Sequence, residues 1–389
     1  MLQRAHAWTD WLETHWVKPA YGGMMLGSLS AFFFIAATNT LAGWLYVMSG
    51  LGIALLSLSA FLARQSVKSL EIQRLPIDPV SAGDDLTLTL RLKNPDLAPR
   101  SLLLLRDPLP PALGQPPEQA IAHLPPRSLH TWTYTCPTQR RGIYRWPSLE
   151  LRSGAPLGLC WYRRTVAAPG RAIVYPTVLN LSRCPLLDQL GAERDSRFQS
   201  DQRPQAATEG MTRTLRPYRW GDSMRLIHWR TSARYGELQV RELEVFQGGT
   251  AVILALDSQG PWSAQTERGE PAFEEAIVAA ASLYFYARRH NLPVQLWSGA
   301  TGLVQGDRSV LEVLAGLQPQ SAAPQEPLPD RPLLWMTTTP PTLATLPDGS
   351  RYLLWPNPTS PLPPQTHKFP GLLIQGEATL AQQLQAERI

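Results

Sequence analysis

The residues best equipped for chemistry lie between Glu209 and Glu244, where seven arginines (Arg213, Arg216, Arg219, Arg225, Arg230, Arg234, Arg241) stand among Tyr218, Trp220, His228 and Trp229. Between the first and last of these arginines the only carboxylates are Asp222 and Glu237. Planar guanidinium groups in such number either form internal ion pairs and stack on the neighbouring rings, or face an acidic partner. Both uses stay open on sequence alone. The one acid–base constellation nearby is His228 with Asp222 and Ser223 or Ser232. Helical side chains share a face at spacings of about three or four, and His228 stands six residues after Asp222. No catalytic dyad is expected. The chain also lacks GxSxG, HExxH and a phosphate-cradling glycine loop, so it is not expected to be an enzyme, a hydrolase being the less favoured alternative. Aromatic rings beside cations can bind single-stranded nucleic acid. The surrounding Glu209, Glu237, Glu242 and Glu244 oppose that use, and no nucleic-acid partner is expected.

Local signals say how this stretch is built. Arg213 to Arg219 is extended, Gly221 turns the chain, and Asp222 is placed to cap a short helix ending near Ser232 or Arg234, with Gly236 as its terminator. Leu238-Gln239-Val240 then resumes as a strand. Beyond it, Ala251 to Asp257 is a buried-strand run followed by a helical pattern from Phe273 to Arg289. Strands at Pro293–Trp297, Pro332–Thr337 and Arg351–Trp355, a helix at Ser309–Leu317 and a strand and helix within Leu372–Gln385 complete the pattern. Alternating strands and helices predict an α/β sheet covered on both faces, with ligand sites at the carboxyl ends of its strands. Asp257 and Ser258 stand at such an end.

Upstream the chain changes character. From Ala20 to Ala63 there is no Asp, Glu, Lys, Arg or His, and a run needs about 20 apolar residues to cross a bilayer once. Its length predicts two transmembrane helices, near Tyr21–Ala37 and Leu41–Leu62, broken at Asn39, Thr40 and Gly43-Trp44. Arg4 and Lys18 before the run, and Arg64, Lys68 and Arg74 after it, place both flanks and the soluble domains in the cytoplasm. A signal peptide has a shorter apolar region and no second span. Trp8, Trp11, Leu12 and Trp16 recur at helical spacing, which suits either a helix lying on the membrane or one packed on the protein. From Ser69 to Asn180, short alternating runs such as Leu86–Leu92, Leu129–Thr135 and Ser148–Arg152 predict an immunoglobulin-like sandwich. Three cysteines without a CxxC pair predict reduced, buried thiols.

The pattern Leu215-Arg216-x-Tyr218-x-x-Gly221-Asp222-x-x-Arg225-x-Ile227-His228-Trp229-x-x-Ser232-Ala233-Arg234, with Leu238-x-Val240-Arg241-Glu242 after it, resembles the bacterial family catalogued as domain of unknown function 58. Arg140-Arg141-Gly142-x-Tyr144, Pro156-Leu157-Gly158-Leu159 and Val174-Tyr175-Pro176 are similar to further elements of it. The resemblance implies a membrane-anchored protein with a von Willebrand factor A-like domain that acts with a MoxR-type AAA+ ATPase. In that fold Asp-x-Ser-x-Ser after the first strand, with a later Thr and Asp, holds Mg²⁺ or Mn²⁺. Here Asp257-Ser258-Gln259-Gly260 and Met336-Thr337-Thr338-Thr339 offer a degenerate version, with Asp257 and Ser258 as candidate ligands.

The expected organisation is an interfacial helix (1–19), two transmembrane helices (20–68), a β-sandwich (69–180), a linker with the arginine-rich motif (181–250) and the α/β domain (251–389). The expected function is that of an adaptor or scaffold that binds the ATPase and supports assembly or maturation of envelope proteins. Arg216, Tyr218, Gly221, Asp222, Arg225, His228, Trp229 and Arg234 are its candidate partner-binding residues. A metal-dependent, adhesion-type protein-binding domain is the main alternative.

Overall fold

The computed structural model describes residues 17–190, 211–219, 224–244, 251–262, 271–319, 326–356, 369–375 and 378–386, without the side chains of 211–216, 225, 234–235 and 241–244. The proposed surface helix falls on residues outside this description, except that Lys18–Pro19 form a strand, β1. The chain divides into two compact units, Met1–Tyr175 and Pro176–Ile389.

In the first unit, α1 (Tyr21–Thr40) and α2 (Gly43–Lys68) form a helical hairpin turned by Leu41 and Ala42, with Leu41 at φ 54°. Both are long and apolar enough to cross a membrane. α1 outruns the span read from sequence because polar residues near the turn stay helical, and α2 does so at its far end, where Ala63–Lys68 continue the helix. The hydroxyls of Thr38 and Thr40 donate back to the carbonyls of Ile35 and Ala36, each at 2.7 Å. The helices meet through small residues: a Cβ on Gly52 would collide with Ser30 Oγ, and Ala37 and Ala63 are fully buried. Phe32, Ile35, Val47, Leu51 and Phe61 point outward, each more than half exposed.

Strands β2 (Glu71–Arg74), β4 (Asp85–Lys93) and β7 (Leu129–Pro137) make one antiparallel sheet. The other contains β5 (Arg100–Arg106), β6 (Glu118–Leu124), β8 (Gly142–Ser153) and β9 (Cys160–Tyr175), in the order β1-β9-β8-β5-β6, with β3 (Val80–Ser81) parallel to β9. Alternation along β4 sends Leu86, Leu88, Leu90 and Leu92 inward. They meet Leu103, Leu105, Leu149, Leu151, Trp146 and Ala172 of the facing sheet, so the two sheets share one core. Asp107 is a buried pin between them. It accepts from both Nη atoms of Arg74 (2.6 and 3.0 Å), from the Tyr134 hydroxyl (2.6 Å) and from Trp146 Nε1 (3.0 Å). The hairpin is tied to the sandwich by Arg164, whose Nη1 donates to the terminal carbonyls of α2 at Val67 (2.8 Å) and Lys68 (2.6 Å) and to Leu70 (3.3 Å).

The second unit opens with a helix, α3, over 185–190. Leu181, Cys184, Leu186, Leu187 and Leu190 lie in the α/β core, so this part of the expected linker is core structure. Then come β10 (Met211–Pro217), α4 (Trp229–Tyr235) and β11 (Gln239–Glu244), with β10 and β11 paired as an antiparallel ribbon. The main sheet comprises β12 (Val252–Leu256), β13 (Val294–Ser298), β14 (Gly302–Val304), β15 (Leu333–Thr337), β16 (Arg351–Leu354) and β17 (Gly371–Leu373), ordered β14-β13-β12-β15-β16-β17. Every pairing is parallel except that of the short β14. Helices α5 (Ala272–Arg289), α6 (Asp307–Gly316) and α7 (Leu380–Gln385) supply the core on the face that carries Val252, Leu254 and Leu256. Among the described residues the opposite face is covered by the 3-10 turn Pro340–Thr345 and loop side chains such as Leu346 and Phe369, packed on Trp297 and Trp335.

All three cysteines are buried free thiols. Burial pushes Cys136 and Cys184 up to about 11, where a neutral thiol is inert at physiological pH.

Candidate functional site

The arginine-rich motif folds as a ribbon interrupted by one helical turn. β10 pairs Arg216 with Val240, and Tyr218 N–H continues the ladder to Leu238 O at 2.8 Å. The helix does not begin at Asp222. A 3-10 turn at Met224–Leu226 and a bridge between Ile227 and Val240 come first, and α4 starts at Trp229. The physical reason is His228. Its Nδ1 accepts from Thr231 N–H (3.2 Å) and bonds the Thr231 hydroxyl (2.8 Å), so the imidazole caps the helix in the way a Ser or Asp would. Gly236 ends it at φ 74°, its N–H on Ser232 O, as its position in the sequence predicts.

The hydroxyl of Ser232 donates to His228 O (3.1 Å) and accepts from Gln239 N–H (2.9 Å). His228 and Ser232, two members of the suspected constellation, therefore serve the local fold, and Asp222 and Ser223 lie outside the described residues. Gly221 and Asp222 lie outside the described residues, as do the side chains of Arg216, Arg225 and Arg234. Of the remaining candidates, Tyr218 is half-buried and Trp229 is 62% exposed. Met224 (66%) and Leu238 (42%) are exposed as well, although nothing in their sequence context singled them out. Arg219 and Arg230 are exposed too.

A second constellation lies at the carboxyl end of the main sheet. The chain leaves β12 toward β13 and leaves β15 toward β16, so the connections diverge at the β12/β15 crevice. Such reversals are where open α/β sheets place ligands. Asp257 and Thr337 bridge that crevice. Asp257 Oδ2 accepts from Thr337 Oγ1 at 2.7 Å, and its Oδ1 accepts from Gln259 N–H at 3.0 Å. Ser258 Oγ and Thr338 Oγ1 are buried without a hydrogen-bond partner among the described residues. Trp262 closes the floor, its Nε1 on Asp257 O (2.6 Å) and its ring against Phe273 and Trp355. Trp355 Nε1 in turn reaches the buried Glu275 at 3.3 Å. Trp262 and Glu275 carry no motif, and only three-dimensional packing reveals them. No cluster of three His, Cys, Asp or Glu side chains suited to a metal occurs among the described residues.

Residues 214–330, under a third of the chain, match the family described as "Protein of unknown function DUF58". The resemblance carried by the arginine-rich motif therefore holds, while the similar elements between Arg140 and Pro176 precede the matched span. No curated protein matches the sequence. Among solved structures, a β-glucosidase from Listeria innocua in complex with gluconolactone is similar over 27% of this chain, at 13% identity and a TM-score of 0.17. A CARDB domain from Pyrococcus furiosus is similar over 26% of this chain and 94% of its own, at 13% identity and a TM-score of 0.18. This chain spans 16% of the length of the β-glucosidase. Neither likeness carries weight at such scores.

Proposed function

We propose that this protein is a membrane-anchored adaptor whose soluble units face the cytoplasm and whose arginine-rich ribbon docks an acidic partner. The outward-facing apolar surface of the hairpin carries the membrane part of this reading. In α1 three of 20 residues are buried, whereas the soluble core helix α5 buries thirteen of 18. Apolar side chains left open along two whole helices need lipid or another apolar cover. Lys18, Arg64 and Lys68 flank the hairpin and its turn has no cation, which favours cytoplasmic flanks. Exposed Met224, Trp229 and Leu238 beside Arg219 and Arg230 suit an acidic segment with an apolar anchor. The family resemblance suggests a MoxR-type AAA+ ATPase as that partner and envelope proteins as its clients. It also suggests von Willebrand factor A-like character for the α/β fold, while the alternating strands of the first unit suggest an immunoglobulin-like sandwich.

In-cell crosslinking of the full-length protein, followed by mass spectrometry, is expected to capture the ATPase against residues 211–244. Arg225→Glu with Arg234→Glu is expected to lose it, and capture at the wild-type level would remove the interface role. A second reading, a metal-dependent protein-binding domain, is favoured by the unpartnered Ser258 and Thr338 hydroxyls beside Asp257 and Thr337. These oxygens fit a hard cation in type, and Mg²⁺ keeps several waters to complete its shell. A bound ion would bridge an acidic partner group to the sheet end. Isothermal titration with Mg²⁺ and Mn²⁺ supports this only if binding saturates and Asp257→Ala abolishes it.

A further inference from the structure

We infer that the β8–β9 loop, Gly154 to Leu159, and the start of β9 dip into the lipid interface, so that the sandwich itself touches the bilayer as well as hanging from the hairpin. The inference rests on the membrane reading above and adds a lipid-contacting surface to it. Depth is set by the helices. At about 1.5 Å per residue, a hydrocarbon core of about 30 Å takes up all of α1. Its first turn, Tyr21 to Met24, must then lie at the boundary. The loop packs on that turn: Leu159 O accepts from Ala20 N–H at 2.8 Å, and a Cβ on Gly23 would collide with the same carbonyl.

Contact with the other helix lies deeper still. Cys160 Sγ lies 4.0 Å from Leu56 O, and Leu56 is thirteen residues along α2 from Gly43. That is about 20 Å of rise, short of the 30 Å boundary. Leu157, at the tip of the loop, is 44% exposed, so at this depth its side chain enters lipid. The surroundings match an interfacial belt. Tyr21 is 76% exposed and Trp161, paired with Lys18, is half-buried at the same level. Arg64 comes twenty-one residues after Gly43, at about 32 Å, and Lys68 one turn later. Cations thus begin where the hydrocarbon ends, in position for anionic headgroups.

The test uses full-length protein in vesicles of phosphatidylethanolamine with phosphatidylglycerol, with an environment-sensitive maleimide fluorophore on Leu157→Cys, Leu51→Cys or Gln139→Cys. The native thiols are buried and supply a low background. Gln139 is exposed at the far end of β8, roughly 35 Å along the strand from Ser153. The label at Leu157→Cys is expected to lose most of its emission to lipids spin-labelled near the headgroup and to resist aqueous iodide. The label at Gln139→Cys should do the reverse. Iodide quenching at Leu157→Cys without lipid quenching, while Leu51→Cys remains lipid-quenched, overturns the inference and leaves the hairpin in the membrane. Iodide quenching at Leu51→Cys as well overturns the membrane reading from which it starts.

Discussion

Replacing Asp107 with alanine should destabilise the sandwich more than any surface change. The carboxylate is fully buried and the side chain of Arg74 is 3% exposed, so the substitution strands a guanidinium away from water. It also orphans the Tyr134 hydroxyl and Trp146 Nε1. Removing one partner of such a pair costs about 3–5 kcal/mol, a large share of the roughly 5–15 kcal/mol that holds a domain together. The assay is hydrogen exchange of the full-length protein in detergent micelles, read by mass spectrometry on the β4 amides. At about 1.4 kcal/mol per tenfold, exchange through whole-domain opening should accelerate by between one hundred and a few thousand times, roughly. Arg74→Met combined with Asp107→Leu should recover most of the loss, because an apolar replacement removes both buried charges together. Exchange in Asp107→Ala within about threefold of wild type, a change below 1 kcal/mol, would show that the network does not pin the sheets.

Other consequences are more local. His228→Ala should cost the second unit about 1 kcal/mol through the lost cap, with His228→Asn restoring most of it, as measured by the thermal midpoint. If His228→Ala leaves the midpoint unchanged, the imidazole is not the cap. Burial raises the Cys136 and Cys184 thiols from 9.0 to about 11, so the folded state holds protons that the unfolded chain has released. Their contribution to stability is complete below 9.0 and is lost as pH rises toward 11. Urea midpoints should therefore fall across that window, and a flat profile would contradict the burial. Thiol reagents at neutral pH should label the native protein slowly and all three cysteines quickly in denaturant.

Much of this architecture is legible in the residues, and the exceptions have physical causes. Period-two alternation from Leu86 to Leu92 and the helical spacing from Phe273 to Arg289 fix β4 and α5, because each buries one regular set of side chains. The short β14 carries too few residues to show a period, and the pairing of Leu303 with Trp297 defines it only in three dimensions. Around the motif, Asp222 is the better cap by propensity. Histidine takes that role further along, directly after the Ile227–Val240 bridge. The cluster around Asp257 is legible only in part. Its location follows from strand order, but Trp262 and Glu275 come from the β12–β13 connection and Thr338 from the β15–β16 connection, and local sequence does not report that the two converge.

Protease accessibility tests the central claim most directly. With an epitope tag at the carboxyl terminus, protease added to sealed spheroplasts should leave the polypeptide intact. The same protease added to inverted membrane vesicles should remove the soluble units and leave a membrane-held fragment of the size of the hairpin. Cleavage of the soluble units from outside sealed cells, or recovery of the full-length chain in the supernatant after detergent-free centrifugation, would contradict a cytoplasm-facing membrane adaptor.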